Sequence, residues 1–203
     1  MKIIRLIAVL ALTIPSAAFA GPIMFDLRAP EIELIDEVNS FSLTRDSLTA
    51  TLTALPSTFD EPPLRDLFLN RTASSFGINV VGTTCGSMED SAEIDDGCTG
   101  ESVEIFFDHA VFLSSLKVST FGSSDEARVD ITGVSSIDIL STGVHSLDDT
   151  FLAAGDPFSL VFVAGNGFSF DHFIVERVPE PGTLALLGAG LLGLVGCARR
   201  HRR

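Results

Sequence analysis

The chain has 203 residues, with 27 Asp+Glu against 13 Lys+Arg and a formal net charge of −14. That length supports one domain with its own core, and an apolar share of 46% excludes wholesale disorder. The charge is uneven: residues 21–178 hold 26 acids and seven bases, a net near −19, whereas residues 1–20 carry +2 and 199–203 carry +4, so the middle repels phosphate and nucleic acid is excluded as a partner.

Met1-Lys2-Ile3-Ile4-Arg5 is a short basic start, followed by an apolar run from Leu6 to Ile14 and a break at Pro15-Ser16. Ala18 and Ala20 are small residues where a signal peptidase reads its substrate. Residues 1–20 are therefore predicted to be a secretory signal peptide cleaved after Ala20. The alternative is an uncleaved anchor, against which stands the shortness of the apolar run.

From 21 to 177 the apolar residues recur mostly at period two. Leu48, Ala50, Leu52 and Ala54 alternate with Ser47, Thr49, Thr51 and Thr53; Phe76, Ile78 and Val80 mark another run. Val103, Ile105 and Phe107, then Val129 and Ile131, then Phe158, Leu160, Phe162 and Ala164 continue the pattern. Turn formers such as Gly122-Ser123-Ser124-Asp125 and Gly165-Asn166-Gly167 separate the runs. Alternation of this kind predicts half-buried strands, about nine or ten of them, in an all-β sandwich that is jelly-roll-like. Pro56 to Thr72, with Pro56, Pro62 and Pro63, reads as a long loop with room for a helical turn.

Cys85 and Cys98 lie in this region with twelve residues between them, and an exported chain permits a disulfide joining them. Closing such a loop is worth about 3 kcal/mol in the chain-entropy picture. Free thiols or a metal site are the alternatives. The enclosed loop carries Glu89, Asp90, Glu93, Asp95 and Asp96 without a base, and Glu101 follows. Crowded carboxylates are either solvated or neutralised by a hard cation such as structural calcium. Asp90, Asp95, Asp96 and Glu101 are the calcium candidates, with Asp171 as an auxiliary at a strand end. Phe106-Phe107-Asp108-His109 and Phe168-Ser169-Phe170-Asp171-His172 echo one another. Each Asp-His pair reads as a bulge or polar break between strand halves, and a metal site from Asp108, His109, Asp171 and His172 is the other reading.

The last segment, 178–203, has three parts: Val178-Pro179-Glu180-Pro181, an apolar stretch over 183–198, and a basic tail with Arg199, Arg200, Arg202 and Arg203. Sixteen residues as a helix span about 24 Å, short of a hydrocarbon core of about 30 Å, with snorkelling arginines making up the difference. A transmembrane helix with its arginines cytoplasmic is expected. These parts, in this order behind a signal peptide, resemble the PEP-CTERM sorting signal of Gram-negative bacteria. The resemblance implies recognition by an exosortase, a membrane-embedded cysteine protease that cleaves near the motif and passes the protein outward. Val178, Pro179, Glu180 and Pro181 would be its substrate residues. The two prolines keep that backbone extended, as a protease requires. Asn70 to Asp96, Glu101 to Phe112, Phe121 to Gly133 and Gly165 to Glu176 resemble a domain common in PEP-CTERM proteins. That resemblance implies a carbohydrate-binding-like sandwich without a settled activity.

Nothing in the chain predicts an enzyme: it holds no Gly-x-Ser-x-Gly elbow, phosphate loop, His-Glu-x-x-His or dinucleotide fingerprint. It also has no Trp and no Tyr, the usual platforms for stacked sugar rings. The expectation is an exported surface or matrix protein, anchored in the membrane before processing. Its partners would be signal peptidase, an exosortase and exopolysaccharide, and its role structural or adhesive. A calcium-dependent carbohydrate-binding module is the alternative, and a polysaccharide hydrolase a more distant one.

Overall fold

The computed structural model describes residues 21–28, 38–56, 66–71, 76–81, 93–94 and 100–178. Gly21–Val178 form one compact unit. Its strands are β1 (Ile23–Asp26), β2 (Ser40–Arg45), β3 (Leu48–Pro56), β4 (Asp66–Arg71), β5 (Phe76–Val81) and β6 (Glu101–Phe107). There follow β7 (Val111–Ser119), β8 (Glu126–Ile131), β9 (Ile137–Ile139), β10 (Gly143–Leu152), β11 (Phe158–Ala164) and β12 (Ser169–Arg177). No helix occurs among the described residues. Among the described residues the strands number twelve rather than nine or ten, because β1 is short and β4 lies in the stretch whose prolines suggested a loop. The cysteines, the signal-peptide residues and the segment 183–198 lie outside the described residues.

One sheet has the order β1-β12-β7-β10 and the other β2-β3-β6-β11-β8-β9, with β4-β5 as a separate hairpin. Eight of these strands pair as nested layers of one long hairpin: β1 with β12, β6 with β11, β7 with β10, and β8 with β9. The chain changes sheet at β6–β7, β7–β8, β9–β10, β10–β11 and β11–β12. A long hairpin rolled in this way is a jelly roll. The β2-β3 hairpin widens one sheet.

Alternation explains why the layers close. Leu48, Ala50, Leu52 and Ala54 of β3, Val103, Ile105 and Phe107 of β6, and Phe158, Leu160 and Phe162 of β11 are all buried. Phe25, Phe107, Phe158, Phe170 and Phe173 meet between the sheets. Phe173 is the hub. It stacks on Phe25 at 5.0 Å and presents edges to Phe107 and Phe158 at 5.9 Å each. Offset and edge contacts of this kind add about 0.5–1.5 kcal/mol per pair beyond area burial.

Where period two fails, bulges restore it. Leu113 and Leu116 of β7 are both buried although three residues apart. Ile174 faces Ser115 and Val175 faces Leu113, so Ser114 is left over and the alternation resets. Gly77 serves a different need: a Cβ there would collide with the Glu93 backbone. Only glycine lets β5 approach that segment so closely.

Candidate functional site

The end of β12 is the part of the fold that bears on sorting. Ile23 pairs with Val175 and Asp26 with His172. That register brings Gly21 and Val178, the two limits of the compact unit, to the same end of the four-stranded sheet. The Val178 amide donates to the Ala110 carbonyl at 3.0 Å, so the last described residue is still fixed to the sandwich. β12 itself lies between β1 and β7, and its buried face carries Phe170, Phe173 and Val175. A strand inside a sheet cannot be lent to a protease without breaking two ladders. The backbone that follows begins at Pro179.

Asp171 occupies the opposite half of β12. Phe170 faces Val118 and His172 faces Lys117, which leaves Asp171 as the extra residue of a bulge. The bulge places its carboxylate beside Lys117 and Ser119 of β7, where it is buried. Arg28 Nη1 donates to Oδ1 at 2.9 Å, the Ser119 hydroxyl donates to the same oxygen at 2.6 Å, and Lys117 Nζ stands 3.0 Å from Oδ2. Burial opposes ionisation of Asp171, but the hydrogen bonds from Ser119, Arg28 and Lys117 and the Arg28 charge outweigh it and hold the carboxyl below its ordinary value. The Asp171 carbonyl accepts from Leu27 N at 2.9 Å, and Arg71 donates to the carbonyls of Leu27 and Arg28 at 2.9 Å each. The cluster therefore fastens the turn after β1 to β7 and β12. Its neighbour His172 is pushed down by burial and by Lys117, against Asp26 and Asp171, and is neutral near pH 7.

The calcium candidates are distributed as follows. Asp171 has two cations for partners. Glu101 opens β6 and is fully buried. Asp90, Asp95 and Asp96 lie outside the described residues, as do Cys85 and Cys98. Ile94, next to them in sequence, bridges Phe168, so this part of the acidic loop meets the start of β12. The Asp-His echo divides. Asp171–His172 is a bulge, whereas Asp108–His109 is the bend by which the chain leaves one sheet for the other. Asp108 accepts from Thr49 N at 2.9 Å, and His109 Nδ1 stands 2.9 Å from the same carboxylate oxygen. The bend precedes Val111, while His172 pairs with Lys117 six residues along β7, a separation of about 20 Å. The four residues therefore do not share a site. Among the described residues, no group of three or more His, Cys, Asp or Glu could hold a metal ion.

The residues that sequence reasoning missed are the clamp partners Arg28, Lys117 and Ser119. Arg28 and Asp171 are 143 positions apart, and no local spacing signals that pairing.

A search of curated proteins gave no match. The PEP-CTERM protein-sorting motif matches residues 177–200, beginning at the last residue of β12 and running through Pro179, Glu180 and Pro181. The chain thus carries, directly behind the final strand of a jelly roll, the sorting motif of exported proteins processed by an exosortase.

Proposed function

We propose that this chain is a structural or adhesive component of an extracellular polysaccharide layer. Its signal peptide is removed after Ala20, its C-terminal helix holds it transiently in the inner membrane, and an exosortase then releases the body to the surface. The observation that carries this reading is the position of the sorting motif. It follows a strand that is locked in mid-sheet, so cleavage beyond Val178 would leave the sandwich whole. The shared end of Gly21 and Val178 fits the same reading, because both processing events would occur at one end of the body. The net charge near −19 of residues 21–178 keeps such a body soluble and apart from anionic membranes.

Replacing Pro179, Glu180 and Pro181 together by alanine tests this. The expected result is a precursor of higher mass that stays in the inner-membrane fraction. Unchanged mass and unchanged cell fraction would sink the sorting mechanism.

A further inference from the structure

The outer face of the six-stranded sheet begins, on β2 and β3, with an array of hydroxyls. On β2 the outward residues are Ser40, Ser42 and Thr44; opposite them on β3 are Thr53, Thr51 and Thr49. Each pair is joined hydroxyl to hydroxyl, at 3.2, 2.9 and 3.1 Å. A hydroxyl has one donor and two acceptor positions, so every pair keeps one O–H and several lone pairs for solvent or ligand. The array repeats at the pitch of the sheet, about 4.8 Å across strands and about 6.8 Å along them.

The ladder continues sideways. Thr53 faces Glu104, Glu104 faces Ser159, and Ser159 faces Asp130. One polar row, Ser40–Thr53–Glu104–Ser159–Asp130, thus crosses five strands over about 19 Å. Its far end opens into a cleft of about 520 Å³ lined by Glu104, Arg128, Asp130, Ser136, Pro157 and Ser159, among others. There Arg128 grips Asp130 through Nε and Nη2 at 2.7 and 2.9 Å. Both side chains are fixed by residues of one strand, so little entropy remains to be lost when a ligand docks. Phe106, half-buried and opposite Thr51, lies beside the row and adds a flat apolar surface.

We infer that this face binds an uncharged polysaccharide laid across the strands, with its hydroxyls meeting the Ser40–Asp130 row and one end in the Arg128 cleft. The charge pattern selects the ligand. The cleft's guanidinium is engaged with Asp130, and Glu104 adds a negative charge, so a polyanionic chain is repelled. A neutral polyol meets alternating donors and acceptors at every strand. The inference deepens the matrix role proposed above and rests on it for the source of the ligand.

Affinity electrophoresis of the purified exported protein in gels containing dextran, xylan or galactomannan, with alginate as the acidic comparison, tests the face. Retardation is expected in at least one neutral gel and not in alginate. Thr53→Ala with Ser159→Ala should weaken binding by about fivefold or more, as loss of two exposed hydrogen-bonding groups implies. Thr51→Arg, which blocks the ladder rather than trimming it, should do the same, while Phe112→Ala on the other sheet should leave retardation unchanged. Absence of retardation in every neutral gel, preference for alginate, or indifference to both face variants would overturn the inference. A protein that is exported and processed but not retarded removes this binding face alone; a failure of sorting shows instead in the mass and cell fraction.

Discussion

Phe173→Ala is the most direct test of how the two sheets are joined. The ring is fully buried and touches four others: Phe25, Phe107, Phe158 and Phe170, with centroids 5.0 to 5.9 Å away. Phe→Ala in a core costs about 3–5 kcal/mol. The upper part of that range is expected here, because the neighbours sit on β1, β6, β11 and β12, and hydrogen-bonded sheets cannot collapse into the void. A domain of this size loses about 2–4 °C of Tm per kcal/mol, so the expected fall is about 8–20 °C. The chain has no Trp or Tyr, so thermal unfolding is best followed by far-ultraviolet circular dichroism on the exported protein. Phe112→Ala is the control, since Phe112 is 36% exposed and its one ring contact among the described residues is Phe151; its cost should be about 1 kcal/mol. If Phe173→Ala lowered Tm no more than Phe112→Ala did, the idea of an aromatic hub would be wrong.

Asp171→Asn should lower stability at neutral pH by about 1–3 kcal/mol, toward the lower end because Arg28 and Lys117 are each more than a third exposed and rehydrate when released. The pH dependence has a definite sign. The folded Asp171 carboxyl titrates below its ordinary value, so its contribution is complete above the unfolded value of about 3.9 and disappears as pH falls through the lower folded value. Urea midpoints measured downward from pH 5 should therefore converge for wild type and variant; a gap that widened with acid would contradict the clamp. At the β2–β3 turn, Asp46 and Ser47 both have left-handed backbones, with φ of 47° and 63°, the geometry that favours Asn-Gly. Asp46→Asn with Ser47→Gly should therefore raise Tm by about 1–4 °C, equivalent to about 0.5–1 kcal/mol, and a lower Tm would show that the turn is held by something other than its own conformation.

The sequence by itself determined the class of fold and the sorting address. Alternation in 48–54, 103–107 and 158–164 reports burial directly, because side chains of a strand point to opposite faces whatever the strand pairs with. The sorting motif is likewise local: a protease and a bilayer read a contiguous segment, and Val178 to Pro181 can be recognised from the order of residues alone. The outward Thr49, Thr51 and Thr53 were visible in the same way, but not their hydroxyl partners on β2 or the row that continues through Glu104, Ser159 and Asp130. Only the tertiary structure decided these, since register between strands far apart in the chain depends on closure of the whole roll. The same holds for the bulges. Leu113 and Leu116 break the period, and the leftover Ser114 becomes intelligible only against β12. Asp171 shows the limit most clearly. As a residue it suggested an auxiliary calcium ligand, because a strand-end Asp often meets loops at one rim of a sandwich; in the fold its partners are Arg28 and Lys117, since a buried carboxylate takes whichever positive charge the topology brings within reach.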